Sequence, residues 1–246
     1  MNVEVAVSGR PGEQERESAM AQPGDVIEHP SFGARVTFLE TSEQTNGELL
    51  RVEVLLPPGF SMPEHVHPRQ EERHEVLSGT LRARVGGQER DYKAGERVVG
   101  PPGVPHAWSN PSDSEELRIV SEHRPVGHME LMLEAGSAIA RDFEADKKGA
   151  LKHLLRAAVL LDEIKEDFYF TGVSMRVLMA VFVALAPVGR LLRYGSGERE
   201  DGGQATAVSR LGRGDLPSGA VVGGAIAAVL LILALLVRWC SRARAG

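Results

Sequence analysis

The feature that most constrains this chain is a group of metal-ligand side chains between residues 59 and 110. His65 and His67 are two positions apart, so on a β-strand both imidazoles would point to the same face. Glu72 opens the next apolar run, and His106 begins a short strand after a Pro/Gly turn. Imidazole and carboxylate together suit a divalent first-row transition metal (iron, manganese, nickel, copper or zinc), whereas calcium and magnesium prefer oxygen ligands.

Glycine, proline and asparagine residues flank these side chains at fixed spacings. The two patterns are Gly59-x5-His65-x-His67-x4-Glu72-x6-Gly79 and Gly95-x5-Pro101-x-Gly103-x2-His106-x3-Asn110. In this order they resemble the two motifs of the cupin family, over approximately residues 25–125. The resemblance implies an all-β fold, a small antiparallel jelly-roll barrel (double-stranded β-helix) that holds a metal inside. The ligands that it implies are His65, His67, Glu72 and His106. Glu71 is an alternative carboxylate, but it would break the spacing to Gly79.

Short predicted strands, separated by turn residues, surround this stretch. They cover residues 34–40, 49–56, 81–85, 88–92, 97–100, 106–109 and 117–122. Turn signals at Asn46-Gly47 and at Gly86-Gly87 predict two hairpins. Short strands at this spacing are typical of an all-β barrel or sandwich, independently of any family resemblance.

After Gly127 the apolar period changes from two residues to three or four, which predicts helices over 132–143 and 151–168. Charged residues are available for a solvent face of the second helix: Lys152, Arg156, Asp162, Glu163 and Glu166. We expect the two helices to lie against the barrel or a second subunit. A lid over the barrel mouth is the alternative.

The segment 173–192 is more apolar than these helices. Pro187 is expected to break it near its end, and its uninterrupted part, 177–189, is short for a bilayer. A buried or interfacial helix is therefore favoured over a membrane span.

The ends of the chain carry different patterns. Residues 1–24 lack the apolar core of a signal peptide and are expected to be a disordered leader, and 195–218 is Gly-rich and charged, as in a flexible linker. Residues 219–237 contain no charge and have the length of one membrane crossing. Trp239 follows, at a position that suits the membrane interface. The expected domains are 25–125 (barrel), 126–194 (helical extension), 219–237 (transmembrane helix) and 238–246 (basic tail).

These features predict a single-pass membrane protein, but its orientation stays open. The lack of a signal peptide favours a cytoplasmic barrel. Arg238, Arg242 and Arg244 favour a cytoplasmic tail, although Arg210 and Arg213 weaken the contrast. The two expectations conflict unless 173–192 also crosses.

Charge and cysteine content restrict the partners. The net charge is −6, and no basic patch is present in the sequence, so nucleic acid is not expected as a partner. The chain has one cysteine, Cys240, so no internal disulfide is expected, which fits a reducing compartment.

Four protein ligands would leave positions open on an octahedral metal, where a substrate oxygen or dioxygen could bind. The resemblance implies a small-molecule dioxygenase first and an isomerase second. The alternative is a non-catalytic module that binds or senses a small ligand, and a homodimer is also compatible with the family. Trp108 is expected either to line the pocket or to pack in the core. For His74 and Glu75, the barrel surface is favoured over an inward position as a proton carrier.

Overall fold

The structure is a computed structural model that describes residues 21–195. Residues 1–20 of the expected leader (1–24), most of the linker, the predicted transmembrane segment 219–237 and the predicted basic tail 238–246 lie outside the described residues.

Strands and helices both contribute to the described chain. The strands are β1 (Val26–His29), β2 (Ala34–Glu40), β3 (Leu50–Leu56), β4 (Ser61–Val66), β5 (Glu71–Ser78), β6 (Thr80–Val85), β7 (Gln88–Lys93), β8 (Arg97–Gly100), β9 (His106–Ser109), β10 (Leu117–Arg124) and β11 (Tyr169–Phe170). The helices are α1 (Ser42–Thr45), α2 (Met129–Ala145), α3 (Ala150–Ile164) and α4 (Val173–Leu191), with a 3-10 turn at Lys147–Gly149. The class is therefore mixed α and β, in which an antiparallel β unit precedes the long helices.

The strands form two antiparallel sheets, in the orders β1-β2-β3-β10-β5-β8 and β11-β4-β9-β6-β7. Both predicted hairpins are confirmed: β2 pairs with β3, and β6 pairs with β7 across Gly86-Gly87. Along β3, alternate residues are buried, as expected for a strand with one face on a core.

One apolar core lies between the sheets. Its fully buried members come from both of them: Phe38, Leu50, Leu81, Leu117 and Ile119. Burial of such side chains contributes about 1.5–3 kcal/mol each. The barrel therefore has a core of its own, to which α2 adds Met129.

The helical extension has smaller apolar clusters of its own. One joins α2 to α3, and the other joins α3 to α4. Helices α3 and α4 approach each other closely at Gly189, since this glycine has no side chain. A Cβ at this position would lie 2.9 Å from the main-chain oxygen of Leu155. The predicted solvent face of α3 is wrong at Arg156, which is buried and pairs with Asp142 of α2.

The helix boundaries also differ from the predictions. α3 ends at Ile164, so Phe168 lies beyond it, and α4 continues through Pro187 to Leu191. The extension also contributes a strand, since β11 pairs with β4 at the edge of the five-stranded sheet. Sequence periodicity could not show a two-residue strand.

Within residues 21–195, α4 is long and apolar enough to cross a membrane, with a mean hydropathy of 1.6. About a third of it (33%) is buried. Length and composition of this kind also fit the core helix of a soluble protein.

Candidate metal centre

His65 and His106 lie on adjacent strands of one sheet, His67 follows the first of these strands, and Glu72 lies on the other sheet. His65 on β4 is the direct partner of His106 on β9, and His67 follows β4. Glu72 lies near the start of β5, opposite His123 of β10 and Gly100 of β8. All four are buried, at 4% exposure or less, so the fold brings together the whole predicted set.

Each of the three imidazoles has its Nδ1 atom against a main-chain carbonyl. Nδ1 of His65 lies 2.8 Å from the oxygen of Pro63, and Nδ1 of His106 lies 2.8 Å from that of Val104. For His67 the carbonyl is that of Asp167, at 3.0 Å. An N–H donated to a carbonyl fixes the tautomer and leaves Nε2 as a lone-pair donor.

All three Nε2 atoms face the same carboxylate oxygen, Oε2 of Glu72. The distances are 3.5 Å from His65, 3.9 Å from His67 and 2.7 Å from His106. The four donor atoms lie within 4.8 Å of one another, and Nε2 of His67 is buried without a hydrogen-bond partner. A buried, unpartnered nitrogen in such a group fits a metal ion, which would satisfy it. The described chain thus has a buried His/Glu group that could hold a divalent metal.

The electrostatics favour an anionic Glu72. Burial alone would raise its pKa, but the surrounding histidines, His74 and His106 foremost, outweigh burial and hold the pKa well below its usual value. Burial lowers the pKa of His67. Burial alone would lower the pKa of His106, but the hydrogen bond that its Nε2 donates to the Glu72 carboxylate outweighs burial, and the pKa is raised. A carboxylate and a neutral imidazole are the forms that bind metals.

Two further histidines face the other carboxylate oxygen, Oε1 of Glu72. Nε2 of His74 lies 3.4 Å from it, and Nε2 of His123 lies 3.8 Å from it. Nδ1 of His74 also contacts the hydroxyl of Ser121 at 2.8 Å. Burial lowers the pKa of His74, and that of His123 to about 3, so both rings are neutral at neutral pH.

The sequence pattern favours the barrel surface for His74 and does not single out His123. His74 is buried instead, whereas Glu75 faces outward and pairs with Arg97. His123 lies one residue past the predicted end of its strand. A signal for it existed, because His123 continues the inward alternation of Leu117, Ile119 and Ser121.

Trp108 faces inward, as its spacing of two residues from His106 on a strand predicts. Its ring lies 5.5 Å from that of Phe60 and 5.0 Å from that of His74. Glu72, His74, His106 and Trp108 border a cavity of about 10 Å³. This is near the minimum volume that holds one water molecule. Trp108 therefore packs in the core and also borders a water-sized space.

Gly100 makes room for the ring of His106. A Cβ at this position would lie 3.0 Å from Nδ1 of His106, closer than side-chain contacts normally allow. The absence of a side chain lets β8 pass directly behind the imidazole.

The connection between α3 and α4 covers the group on one side. We call residues 165–171 the strap. Besides the Asp167 carbonyl that accepts from His67, it contributes Phe168, whose ring centroid lies 5.0 Å from that of His65 and 5.4 Å from that of His67. Phe168 was predicted as part of a helix, and no local pattern marked it as a neighbour of the histidines.

Comparison with known families identifies the barrel. Residues 52–121 match the family model described as "Cupin domain". The matched region lies within the barrel and includes all four predicted ligands.

Curated relatives match over a similar share of the chain. Germin-like protein 3-5 of Oryza sativa subsp. japonica is 36% identical over an alignment of 115 residues, and the match covers 42% of this chain and 50% of that protein. The HTH-type transcriptional regulator PuuR of Escherichia coli (strain K12) is 29% identical over 102 residues, 42% of this chain and 54% of PuuR. The chain spans about half the length of the curated relatives that it matches.

Solved structures with similar folds include two bacterial proteins. An RmlC-like cupin from Shewanella frigidimarina NCIMB 400 is 22% identical, covering 48% of this chain and 92% of its own, with a TM-score of 0.35. A protein from Thermotoga maritima described as a predicted oxalate decarboxylase is 21% identical. The match covers 41% of this chain and 90% of that protein, with a TM-score of 0.37.

Proposed function

We propose that this chain binds one divalent transition metal through His65, His67, Glu72 and His106 and acts on a small molecule there. The observation that carries the proposal is the common direction of the three Nε2 atoms toward Oε2 of Glu72. Iron, manganese, nickel, copper and zinc all accept this donor set. Oxygenation is the preferred reaction, and isomerisation is the second choice.

The chain's own residues would perform four tasks in such a reaction. The main-chain carbonyls of Pro63, Val104 and Asp167 hold the imidazole rings in one tautomer and orientation. Glu72 supplies the negative charge of the donor set. His74 and His123 face its second oxygen and restrict its rotation. The apolar side chains of Ala83, Val85 and Val98 line the rest of the cavity and limit it to about one water molecule. A bound metal would supply Lewis-acid or redox chemistry.

Elemental analysis of the purified full-length chain is the first test. We expect close to one equivalent of a first-row transition metal per chain. Oxygen uptake with a panel of small molecules then tests for turnover. A chain that repeatedly purifies without metal and does not take up any of the five metals would contradict the proposal.

A non-catalytic module that binds or senses a small ligand is the second candidate. The similarity to a protein named as a transcriptional regulator favours it. The same substrate panel separates the two functions. Saturable binding without turnover supports the module, while turnover supports the enzyme.

We also propose that residues 219–237 anchor the barrel to a membrane, with the barrel in the cytoplasm. The support is an uncharged segment of the length of one bilayer crossing. The full chain should resist salt and carbonate washes and be released by detergent, whereas a chain truncated after Tyr194 should lose this behaviour and keep its metal. A soluble full-length chain would contradict the anchor. A truncated chain that stays in the membrane would assign the anchor to α4. A homodimer stays a prediction.

A further inference from the structure

The strap contacts the donor side chains directly. It touches two of the three predicted histidine ligands, through the Asp167 carbonyl on His67 and through the Phe168 ring on His65 and His67. Phe168 is 6% exposed. Its other face packs in the cluster that joins α2 to α3. The ring therefore links the helices to the donor group.

The strap is anchored by its polar groups on both sides of Phe168. The Asp167 carboxylate accepts hydrogen bonds from Arg69 at 2.7 Å and from Nδ1 of His128 at 2.6 Å. Burial alone would raise the pKa of Asp167, but these hydrogen bonds outweigh it and lower the pKa. On the other side, Thr171 donates to the Glu64 carboxylate at 2.6 Å. These contacts hold the strap closed.

The strap is also the part of the covering structure that can open at the smallest cost in backbone pairing. β11 has two residues and lies at the edge of its sheet, so its separation from β4 leaves the other ladders intact. By contrast, β4, β5 and β9 carry the predicted ligands His65, Glu72 and His106. Each of these strands pairs with another strand of the barrel. Segments with few backbone hydrogen bonds are the ones that open locally in native proteins.

Access to the donor side chains requires such an opening. The four donors are buried, and the cavity beside Glu72 and His106 has room for about one water molecule. An organic ligand does not fit in that space. Phe168 is the side chain of the strap that covers the rings of His65 and His67.

We propose that the strap is the gate of the metal centre, in which Asp167 positions His67 and Phe168 sets which ligands reach the donor side chains. While the strap is closed, the centre admits ligands of the size of water. Larger molecules enter when Phe168 moves outward. The inference rests on the proposed function, because it concerns access to the same centre.

The test measures the accessibility of the histidines in the metal-free full-length chain. Diethyl pyrocarbonate modifies accessible imidazoles, and mass spectrometry gives the rate at each residue, with His29 as an internal reference. We expect Phe168→Ala to raise the rates at His65 and His67 by about tenfold, equivalent to roughly 1.4 kcal/mol less free energy for opening. Tyr169→Ala is the matched control, because Tyr169 is the next aromatic residue and is 39% exposed. It should change the rates by less than about twofold.

Arg69→Gln is a second variant that leaves the apolar core intact, since the Arg69 side chain is 61% exposed. It removes one anchor of Asp167, and we expect a smaller increase than for Phe168→Ala. Phe168→Leu keeps an apolar wall and should return the rates toward those of the native chain. If Phe168→Ala does not fold, the Arg69→Gln and Phe168→Leu variants decide the question.

Release of Zn²⁺ from the loaded chain to excess chelator provides a second readout, with the same order of variants. Rates in Phe168→Ala and Arg69→Gln that equal those of Tyr169→Ala would overturn the gate. A chain that binds no Zn²⁺ would contradict the proposed function instead, and the modification rates would still test the strap.

Discussion

The barrel and the helical extension both bury histidine, but they do so in different surroundings. In the barrel, five buried histidines (His65, His67, His74, His106 and His123) surround the carboxylate of Glu72. In the extension, His153 is equally buried on α3, with the ring of Phe143 edge-on at 6.2 Å. Within residues 21–195 neither nitrogen of His153 has a hydrogen-bond partner. Burial of a histidine alone therefore does not define a metal site, whereas convergence of donor atoms on one point does.

The two regions also differ in what they contribute to the centre. The barrel supplies all four predicted donor atoms, and the extension supplies a carbonyl that orients one of them and a ring that covers two. Donors on paired strands have positions fixed by the ladder, while the strap is held by side-chain contacts. This difference predicts that barrel substitutions change metal affinity and that extension substitutions change access or stability.

The largest expected effect is the loss of metal in His67→Ala and His106→Ala. Each variant removes one of four donors, so metal occupancy of the purified chain should fall severalfold. His153→Ala is the matched control, because it removes an equally buried imidazole from the extension. Elemental analysis of the three variants checks the prediction. Unchanged metal stoichiometry in both barrel variants, or equal loss of metal in all three variants, would contradict the claim that the barrel histidines bind the metal and His153 does not.

Acidification should separate the two regions next. Because the pKa of His106 is raised, the metal-free ring still holds a proton at pH values somewhat above the usual pKa of 6.5. This proton competes with the metal. Apparent affinity should therefore fall as pH decreases, by roughly tenfold per pH unit for one displaced proton. In the extension, the pKa of Asp162 is lowered: burial would raise it, but Lys165 and Arg190 outweigh burial. Its stabilising contribution is present above the ordinary value of 3.8 and is lost as pH falls below it.

Metal titration and far-UV circular dichroism over the same pH series measure the two responses. Between about pH 8 and about pH 5, metal affinity should change while helix content stays constant. Metal retention that is flat down to about pH 4 would argue against histidine ligation.

A pair of glycine substitutions should act in opposite directions. Gly100→Ala places a Cβ 3.0 Å from the His106 ring, so we expect a loss of about 1–3 kcal/mol in stability and weaker metal binding. Gly136 lies in α2, where a Cβ would meet only Leu160 at 4.0 Å. Gly136→Ala should therefore stabilise the chain by up to about 1 kcal/mol. Chemical denaturation of both variants checks the signs, and a neutral Gly100→Ala would show that β8 can shift.

The smallest effect is expected from Asp162→Asn in the extension. Asp162 pairs with Arg190 at 2.6 Å and with Lys165 at 2.5 Å, and both cations are half exposed. Solvent screens such pairs, so the loss should remain below about 1 kcal/mol. Metal content should not change. A decrease in metal binding would show that the α3–α4 contact supports the centre. In that case, substitutions in the extension would also change metal affinity, as substitutions in the barrel do.

The sequence by itself determined most of the barrel and predicted the four residues of the buried His/Glu group. Strand alternation and turn residues are local signals, so β3, β9 and both hairpins could be predicted. The motif spacing selected His65, His67, Glu72 and His106 without reference to any tertiary contact. The same local signals located α2 and α3, although not where α3 ends.

Only the tertiary structure decided what surrounds those donors. The Asp167 carbonyl is 100 residues from His67 in sequence, and a main-chain oxygen has no sequence signature. Phe168 had the apolar period of a helix and instead packs on two imidazoles, because α3 ends at Ile164 and the chain turns toward the barrel. Arg156 was assigned to solvent because charge favours water, yet its partner Asp142 lies on another helix. Local patterns specify which face of an element is apolar, but the partner of that face is fixed only when distant segments pack together.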